Sequence, residues 1–347
     1  MTLKDAVLRT LTNNRGTYLS GEELSGAYGV SRAAVWKAIR ALREEGYPIE
    51  AVTNKGYVMP AEKNTVTEDS FRYAMPVDLR DDKDSGLRKS FIYKSLDSTN
   101  LEAKRLLLEG KASSGCTVIA NHQTAGRGRL GRRFFSPENG LYLSIVITPD
   151  FDIRKSGLVT VAAAAAVAES IENVCGQETR IKWVNDIYIG KRKVCGILTE
   201  AMADFESGQI ETLVIGIGIN TSLDGFPADL LETAGAVDLD GAAAIGKIPT
   251  NTNAKSLLAA EIVRRTLKYT GQINTPSPEF LDLYRSKSLL LGKEIRVFKG
   301  KYRSDPNSEL NRINAKALAI DDSGGLEVLY ADGTREILTT GEVTIRL

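Results

Sequence analysis

Eight residues near the middle of the chain, Gly126-Arg127-Gly128-Arg129-Leu130-Gly131-Arg132-Arg133, hold three glycines and four arginines. Glycine admits φ > 0 and lets another group approach the main chain closely. Arginine carries a permanent charge on a planar fork that grips carboxylate or phosphate with two hydrogen bonds. The run therefore reads as a loop able to close over an anion, with a solvated basic loop as the plain alternative. Cys116-Thr117-Val118-Ile119-Ala120 before it reads as a strand. Phe134-Phe135-Ser136-Pro137-Glu138-Asn139-Gly140 after it reads as a turn, followed by a second strand, Leu141 to Ile147. Gly126-x-Gly128-x-x-Gly131 also spells the dinucleotide fingerprint. That fingerprint must open a helix, with an acidic residue about twenty positions on. Here the loop runs into a strand, so the Rossmann reading is set aside.

With 347 residues the chain is long enough for two or three domains. Lys and Arg number 45 against 44 Asp and Glu, a net charge of +1, so any nucleic-acid surface must be a local patch. Cys116, Cys175 and Cys195 form no C-x-x-C pair, which argues against a disulfide framework or a cysteine zinc site and fits a reducing cytosol. The single histidine, His122, borders the glycine loop and reads either as a base or as a polar strand end. Met1 to Ala6 lacks the apolar core of a signal peptide. The apolar run Val161–Ala168 is far short of the ~20 residues of a membrane span. A cytoplasmic protein without membrane contact is expected.

Along the chain, Leu3, Ala6, Val7, Leu8 and Leu11 mark a first amphipathic helix. Ser20 with Glu23 three residues on is a capping box for a second, ending near Tyr28-Gly29. Ser31 caps a third, Arg32 to Arg43. Two helices joined by a short glycine-containing turn are the helix-turn-helix signature. Val35, Ile39 and Leu42 face a core, while Arg32, Lys37, Arg40 and Arg43 lie off that stripe. Pro48 to Met59 reads as a hairpin wing with Lys55 at its tip. Such a module offers a recognition helix to the major groove and a lysine to a phosphate, unless its basic face is merely solvated in a protein-interaction module. Residues 61–90, nearly all charged from Asp78 to Arg88, read as a linker or a poorly packed edge.

A central domain begins near the strand Phe91-Ile92-Tyr93. Ser98-Thr99-Asn100 opens the helix Leu101–Glu109, where an anion or polar ring docks on free N–H groups or simple capping suffices. A long helix spans about Ser156 to Val174. Thr179 to Ile189 reads as one strand with a polar interruption, and Lys193 to Glu200 as another that brings Lys193 near Asn185-Asp186. In Leu213 to Asn220, Gly216 and Gly218 leave a strip free of side chains, suited to a flat apolar ligand or to close packing. Residues 221–256 are irregular, followed by helices at 254–269 and 278–286. From Leu289 the pattern is all-β, with hairpin turns at Asp322–Gly325 and Ala331–Thr334. Short strands at this spacing suggest a small SH3-like barrel.

Ser98-Thr99-Asn100, Gln123-x-x-Gly126-Arg127-Gly128-Arg129-x-Gly131-Arg132, Lys182-Trp183-x-Asn185-Asp186, Lys193-x-x-Gly196-Ile197-Leu198 and Gly216-x-Gly218-x-Asn220, in this order, resemble the signature segments of the bifunctional biotin–protein ligases that also repress the biotin operon. Ser31 to Lys37 and Asn54-Lys55-Gly56-Tyr57 resemble the repressor class, and the likeness covers nearly the whole chain. It implies an α+β architecture: a winged helix-turn-helix DNA-binding domain (1–62), a linker (63–90), an α/β ligase core with a mixed sheet (91–287) and an SH3-like barrel (288–347).

The resemblance further implies that the carboxylate of biotin attacks the α-phosphate of Mg²⁺-ATP, giving biotinyl-5′-AMP and pyrophosphate. A lysine of the biotin carboxyl carrier protein, from acetyl-CoA carboxylase or another biotin-dependent carboxylase, then takes the acyl group. Carried over by motif, Ser98, Thr99, Asn100 and Gln123 contact biotin. Gly126, Arg127, Gly128, Arg129 and Arg132 lie on the loop that closes over the intermediate, with Arg129 as the adenylate clamp. Lys193 sits at the carboxylate–phosphate junction. Asn185, Gly196, Gly216, Gly218 and Asn220 line the site. Lys182 and Asp186 serve phosphate and metal or loop placement, or else pair with each other. No metal ligands are assigned. Ser31, Arg32, Lys37, Arg40 and Lys55 contact operator DNA, and biotinyl-AMP, as corepressor, promotes the DNA-binding homodimer.

The chain departs from the family pattern at Phe134, where a tryptophan is usual and an aromatic face near adenine survives, and at Val184, where Lys-Trp-Pro-Asn-Asp is usual. Three other readings stay open: a ligase whose helical module no longer binds DNA, a winged-helix sensor of another small acid without ligase activity, and a lipoate ligase.

Overall fold

The structure is a computed structural model. It describes residues 2–14, 16–44, 47, 49–59, 65–76, 89–138, 140–203, 210–239, 252–298, 312–339 and 342–345. Pro48, Asn139, the charged run of 77–88, the glycines and proline of 240–251, the loop 299–311 and Arg346 lie outside the described residues. The chain divides into two units, Met1–Thr65 and Val66–Leu347.

In the first unit, α1 (Leu3–Asn13), α2 (Gly21–Tyr28) and α3 (Arg32–Glu44) precede a hairpin of β1 (Glu50–Val52) and β2 (Gly56–Val58). The Ser20–Glu23 capping box is formed, and Ser31 Oγ accepts from the Ala34 amide at 3.2 Å. Val7, Leu11, Leu24, Val35, Ile39, Leu42 and Met59 make its core. Their helical spacing is what fixes α3 with its basic face outward, as the sequence predicts.

The second unit starts earlier than the sequence reading put it. Within the stretch expected to be a linker, α4 (Glu68–Ala74) sinks Phe71 into the main core, beside Val66 and Met75. Asn121 fastens this segment: its Oδ1 accepts from the Val66 amide at 2.9 Å and its Nδ2 donates to the Val66 carbonyl at 3.0 Å. The helix is mostly polar, Glu-Asp-Ser-Phe-Arg-Tyr-Ala, and a single buried aromatic gives no apolar stripe to read.

A seven-stranded mixed sheet follows, in the order β3-β4-β5-β9-β8-β7-β6. Its strands are β3 (Ser90–Tyr93), β4 (Thr117–Ala120), β5 (Gly140–Ile147), β6 (Arg180–Lys182), β7 (Asp186–Ile189), β8 (Arg192–Ala203) and β9 (Ile210–Asn220). Only β3 and β4 run parallel, joined by the crossover helix α5 (Thr99–Leu108). The single interrupted strand expected over 179–189 is instead the hairpin β6–β7, with Lys182 paired to Asp186. Its turn, Trp183–Asn185, includes a cis Trp183–Val184 peptide. Tyr284 Oη donates to the Val184 carbonyl at 3.1 Å and Trp183 Nε1 to the Gly324 carbonyl at 2.9 Å.

The alanine-rich α6 (Gly157–Cys175) packs on the sheet. It is long and apolar enough to cross a membrane, yet 78% of that span is buried inside the protein as a core helix. The short α7 (Ala228–Leu231), α8 (Ala254–Thr270) and α9 (Glu279–Ser286) complete the helices described.

The C-terminal strands β10 (Glu294–Phe298), β11 (Arg312–Ile320), β12 (Leu326–Tyr330), β13 (Arg335–Leu338) and β14 (Glu342–Ile345) form one antiparallel sheet, order β13-β12-β11-β10-β14. Its edge strands β13 and β14 do not pair with each other among the described residues, so the sheet is open where a closed barrel was expected. Its apolar side chains Ile295, Val297, Ala317 and Val328 join the same core as α6. No separate C-terminal body splits off at residue 288.

Candidate active site

The site is assembled at one end of the mixed sheet, where α5, the glycine–arginine loop, the β6–β7 turn and β8 meet. Ser98 occupies the N-cap of α5, but its hydroxyl makes no capping bond; Asp97 Oδ1 takes the Ser98 amide instead, at 2.7 Å. Simple capping is therefore not what the Ser98 side chain does. Gln123 is buried with its amide spent on both neighbours. Its Oε1 accepts from the Thr99 amide at 2.8 Å and hydroxyl at 3.2 Å, and its Nε2 donates to Ser136 Oγ at 3.0 Å.

Asn100 is a strut. Its Nδ2 donates to Glu200 Oε2 at 2.7 Å and to the Leu198 carbonyl at 3.3 Å, while its Oδ1 accepts from Ser144 at 2.6 Å. Glu200, which the sequence reading did not single out as a site residue, also holds Lys104 at 3.0 Å and meets Arg127 of the loop at 3.6 Å. Burial raises the pKa of its carboxyl, but the hydrogen bonds from Asn100 and Lys104 outweigh this and hold it below the usual glutamate value. Its only signal in the sequence was an acidic residue beyond the apolar run Val194–Leu198 of the same strand.

The loop is pinned at its base. The Phe134 amide donates to the Gly126 carbonyl at 2.9 Å and the Gly128 amide to the Arg132 carbonyl at 2.8 Å. A Cβ on Gly126 would lie 2.4 Å from the Phe134 carbonyl oxygen and from Ser136 Oγ, so no other residue fits there. Leu130 takes φ +58° at the exposed tip. Arg129 Nη1 donates to Asn185 Oδ1 at 3.1 Å, and Asn185 Nδ2 to the Ile197 carbonyl at 2.8 Å. Arg132 is exposed; its backbone closes the loop.

Lys193 Nζ lies 2.7 Å from Asp186 Oδ1. The expected nearness of Lys193 to Asn185-Asp186 is met, and Asp186 has Lys193 as its ion-pair partner. Lys182 stands opposite Asp186 in the ladder. The segment after α7 folds back on Lys193, whose amide donates to the Thr233 carbonyl at 2.9 Å and whose carbonyl accepts from the Gly235 amide at 2.7 Å. Asn220 holds that segment by donating from Nδ2 to the Gly235 carbonyl at 3.1 Å, which braces Lys193.

The glycine strip is real, but the chain's own side chains lie on it. Gly196 and Gly218 are ladder partners. A Cβ on Gly218 would come within 2.6 Å of the Phe134 ring and one on Gly196 within 3.1 Å, while one on Gly216 would meet Asn100 at 2.3 Å. Phe134 thus crosses the strip, edge-on to Tyr142 at 6.4 Å between centroids. The bare strip is what lets Phe134 and Asn100 approach these strands so closely.

His122 Nδ1 is bonded to Ser95 Oγ at 2.8 Å, just past the end of β4. The three cysteines are free and buried, and burial raises their thiols, Cys116 to about 11 and Cys175 to about 12. Among the described residues no group of three or more His, Cys, Asp or Glu side chains is placed to hold a metal. In the first unit, Arg32, Lys37 and Arg40 are exposed on α3; Arg40 pairs with Glu44 at 2.9 Å and Lys55 lies 5.5 Å from the Tyr18 ring centroid. Ser31 is exposed at the start of the same helix.

A cationic loop, tied through Arg129 to Asn185, thus stands beside the Lys193–Asp186 pair at one end of the mixed sheet. The Biotin/lipoate A/B protein ligase family matches residues 92–220, and an HTH domain matches residues 4–58. The chain is 33% identical over 346 residues to the bifunctional ligase/repressor BirA of Bacillus spizizenii and to that of Bacillus subtilis, covering 97% of each chain. The biotin protein ligase of Aquifex aeolicus, solved with biotin and ATP, superposes with a TM-score of 0.56 at 26% identity, over 75% of this chain and 99% of that one. The chain belongs to the family of bifunctional biotin ligase/repressors.

Proposed function

We propose that the protein activates biotin with Mg²⁺-ATP as biotinyl-5′-AMP, passes the biotinyl group to a carrier-protein lysine, and represses biotin genes as an adenylate-bound homodimer. The observation that carries this reading is the convergence of Lys193, Asp186, Asn185 and Arg129 beside the buried Gln123–Thr99 pair. The first step joins two anions, so it needs cations where charge accumulates and no protein nucleophile. Lys193, steered by Asp186, stands at the carboxylate–phosphate junction, and Arg129 grips the α-phosphate. Preorganised groups of this kind contribute about 3–4 kcal/mol each to a transition state. The Ser98 hydroxyl, which makes no capping bond, is offered to the ureido end of biotin and is held in place by the Thr99–Gln123 pair, with Phe134 as an apolar wall. In the second step the acceptor lysine attacks the acyl carbon, the amide forms, and AMP leaves.

Mg²⁺ enters with the nucleotide as part of the substrate. The exposed basic face of α3 and the wing support operator binding, and a buried core helix with three buried thiols supports a cytoplasmic setting. The ligase part begins at Val66 in this proposal. The short antiparallel C-terminal strands support an SH3-like unit continuous with the core. Biotin-dependent ATP–pyrophosphate exchange tests the activity: its absence in folded protein with Mg²⁺ would refute the ligase reading.

A further inference from the structure

Helix α3 buries Val35, Ala38, Ile39 and Leu42 and turns Arg32, Ala33, Trp36, Lys37 and Arg40 to solvent. Trp36 stands at the centre of that outer face and is 50% exposed. The Arg40 guanidinium lies 5.6 Å from its ring centroid and is also tied to Glu44 at 2.9 Å. An open groove runs between this face and the hairpin, lined by Trp36, Arg40 and Arg43 from the helix and by Ala51 and Tyr57 from the wing.

An indole half in water forgoes burial that its size would repay, and the apolar core of this unit does not use it. Arg32, Lys37, Arg40 and Arg43 of this helix outnumber Glu44, which also lines the groove, and this excess of positive charge favours a polyanion over a neutral protein surface. A helix fits the major groove, where the one apolar group displayed is the thymine 5-methyl. We propose that Trp36 reads thymine methyl groups in the major groove, while Arg40, braced by the indole and Glu44, is held ready beside it. Arg32 and Lys37 flank the ring for backbone phosphates, which position the helix without reading sequence. The inference rests on the DNA-binding reading above and adds to it a residue that sets sequence preference.

The test uses the full chain with biotin and Mg²⁺-ATP. It selects duplexes from a random pool, and the enriched duplex is remade with uracil for thymine, one position at a time. Uracil lacks only the methyl. At the contacted positions uracil weakens the wild type about fourfold, the worth of one buried methyl group. Trp36→Ala binds the all-thymine duplex about tenfold more weakly and is indifferent to uracil at those positions; Trp36→Phe keeps part of the preference. An unchanged far-ultraviolet circular dichroism spectrum and thermal unfolding profile confirm that the first unit of each variant is folded, and wild-type biotin-dependent pyrophosphate exchange that the second is. A uracil effect that persists in Trp36→Ala, a wild type blind to uracil, or equal binding by Trp36→Ala overturns the proposal. Enrichment of no sequence by the wild type overturns the DNA-binding reading itself, a different signature from a selected site that ignores Trp36.

Discussion

Lys193 Nζ sits 2.7 Å from Asp186 Oδ1, across the β7–β8 hairpin. The lysine is fixed from behind as well, because Thr233 and Gly235 bond both sides of its peptide. An ammonium held in this way needs little reorganisation when charge appears in front of it. Lys193→Ala is expected to lower kcat of biotin-dependent pyrophosphate exchange about 10²–10³-fold. Asp186→Asn is expected to cost less, since it frees the ammonium without removing it. Unchanged exchange in Lys193→Ala would take the residue out of the chemistry.

Gly218 and Phe134 should be coupled. A methyl at position 218 would fall 2.6 Å from the ring, and overpacking of this kind costs about 1–3 kcal/mol. Gly218→Ala is expected to destabilise by that amount in denaturant unfolding, and much less in a Phe134→Ala background. Additive effects of the two changes would contradict the packing described here.

Glu200 ties Asn100, Lys104 and Arg127 together. Its carboxyl is held below the usual value of 4.5 in the folded state, its hydrogen bonds overcoming the effect of burial. The unfolded chain therefore binds the proton first as pH falls. Its contribution is full above the unfolded value and is lost as pH drops through the folded one. Glu200→Gln should be less stable than wild type at neutral pH, with the gap closing in acid. A gap independent of pH would show that the charge plays no part.

Lys255 on α8 is only 2% exposed, with its ammonium donating to the Gly140 carbonyl at 3.2 Å. Burial lowers its pKa from 10.5 to about 8. From about pH 8 to 10.5 the unfolded state keeps a proton that the folded state has released, so wild-type stability rises across that window relative to a variant with no amine. Lys255→Met should be more stable at pH 7 by up to about 3 kcal/mol, less the lost hydrogen bond, and this advantage should shrink towards pH 10.5. Chemical unfolding of both proteins at pH 7, 9 and 10.5 decides it; a constant difference would mean that the amine does not titrate differently on folding.

Much of this protein is local physics. Ser20 with Glu23, the apolar stripe Val35–Ile39–Leu42 and the turns at Gly324 and Gly333 were legible because capping, helical spacing and positive φ act within a few residues. The loop from Gly126 to Arg133 was legible for the same reason, since its composition excludes a buried strand or helix. Phe71 was not, because one buried aromatic in a short, mostly polar helix carries too little pattern beside the charged run that follows it. Glu200 was missed, and the bracing bond of Asn220 was not foreseen, because hydrogen bonding at long sequence separation leaves no period to read.

The sequence by itself therefore determined the basic glycine loop, the capped helices of the first unit and the outward cations of α3. Tertiary structure decided what those parts are for each other. It set Lys193 against Asp186, made Asn100 and Asn220 struts, laid Phe134 over Gly196 and Gly218, and drew the C-terminal strands into the core of α6. Such partners meet only when strands tens of residues apart take a common register, and that register is chosen by burial summed over the whole sheet.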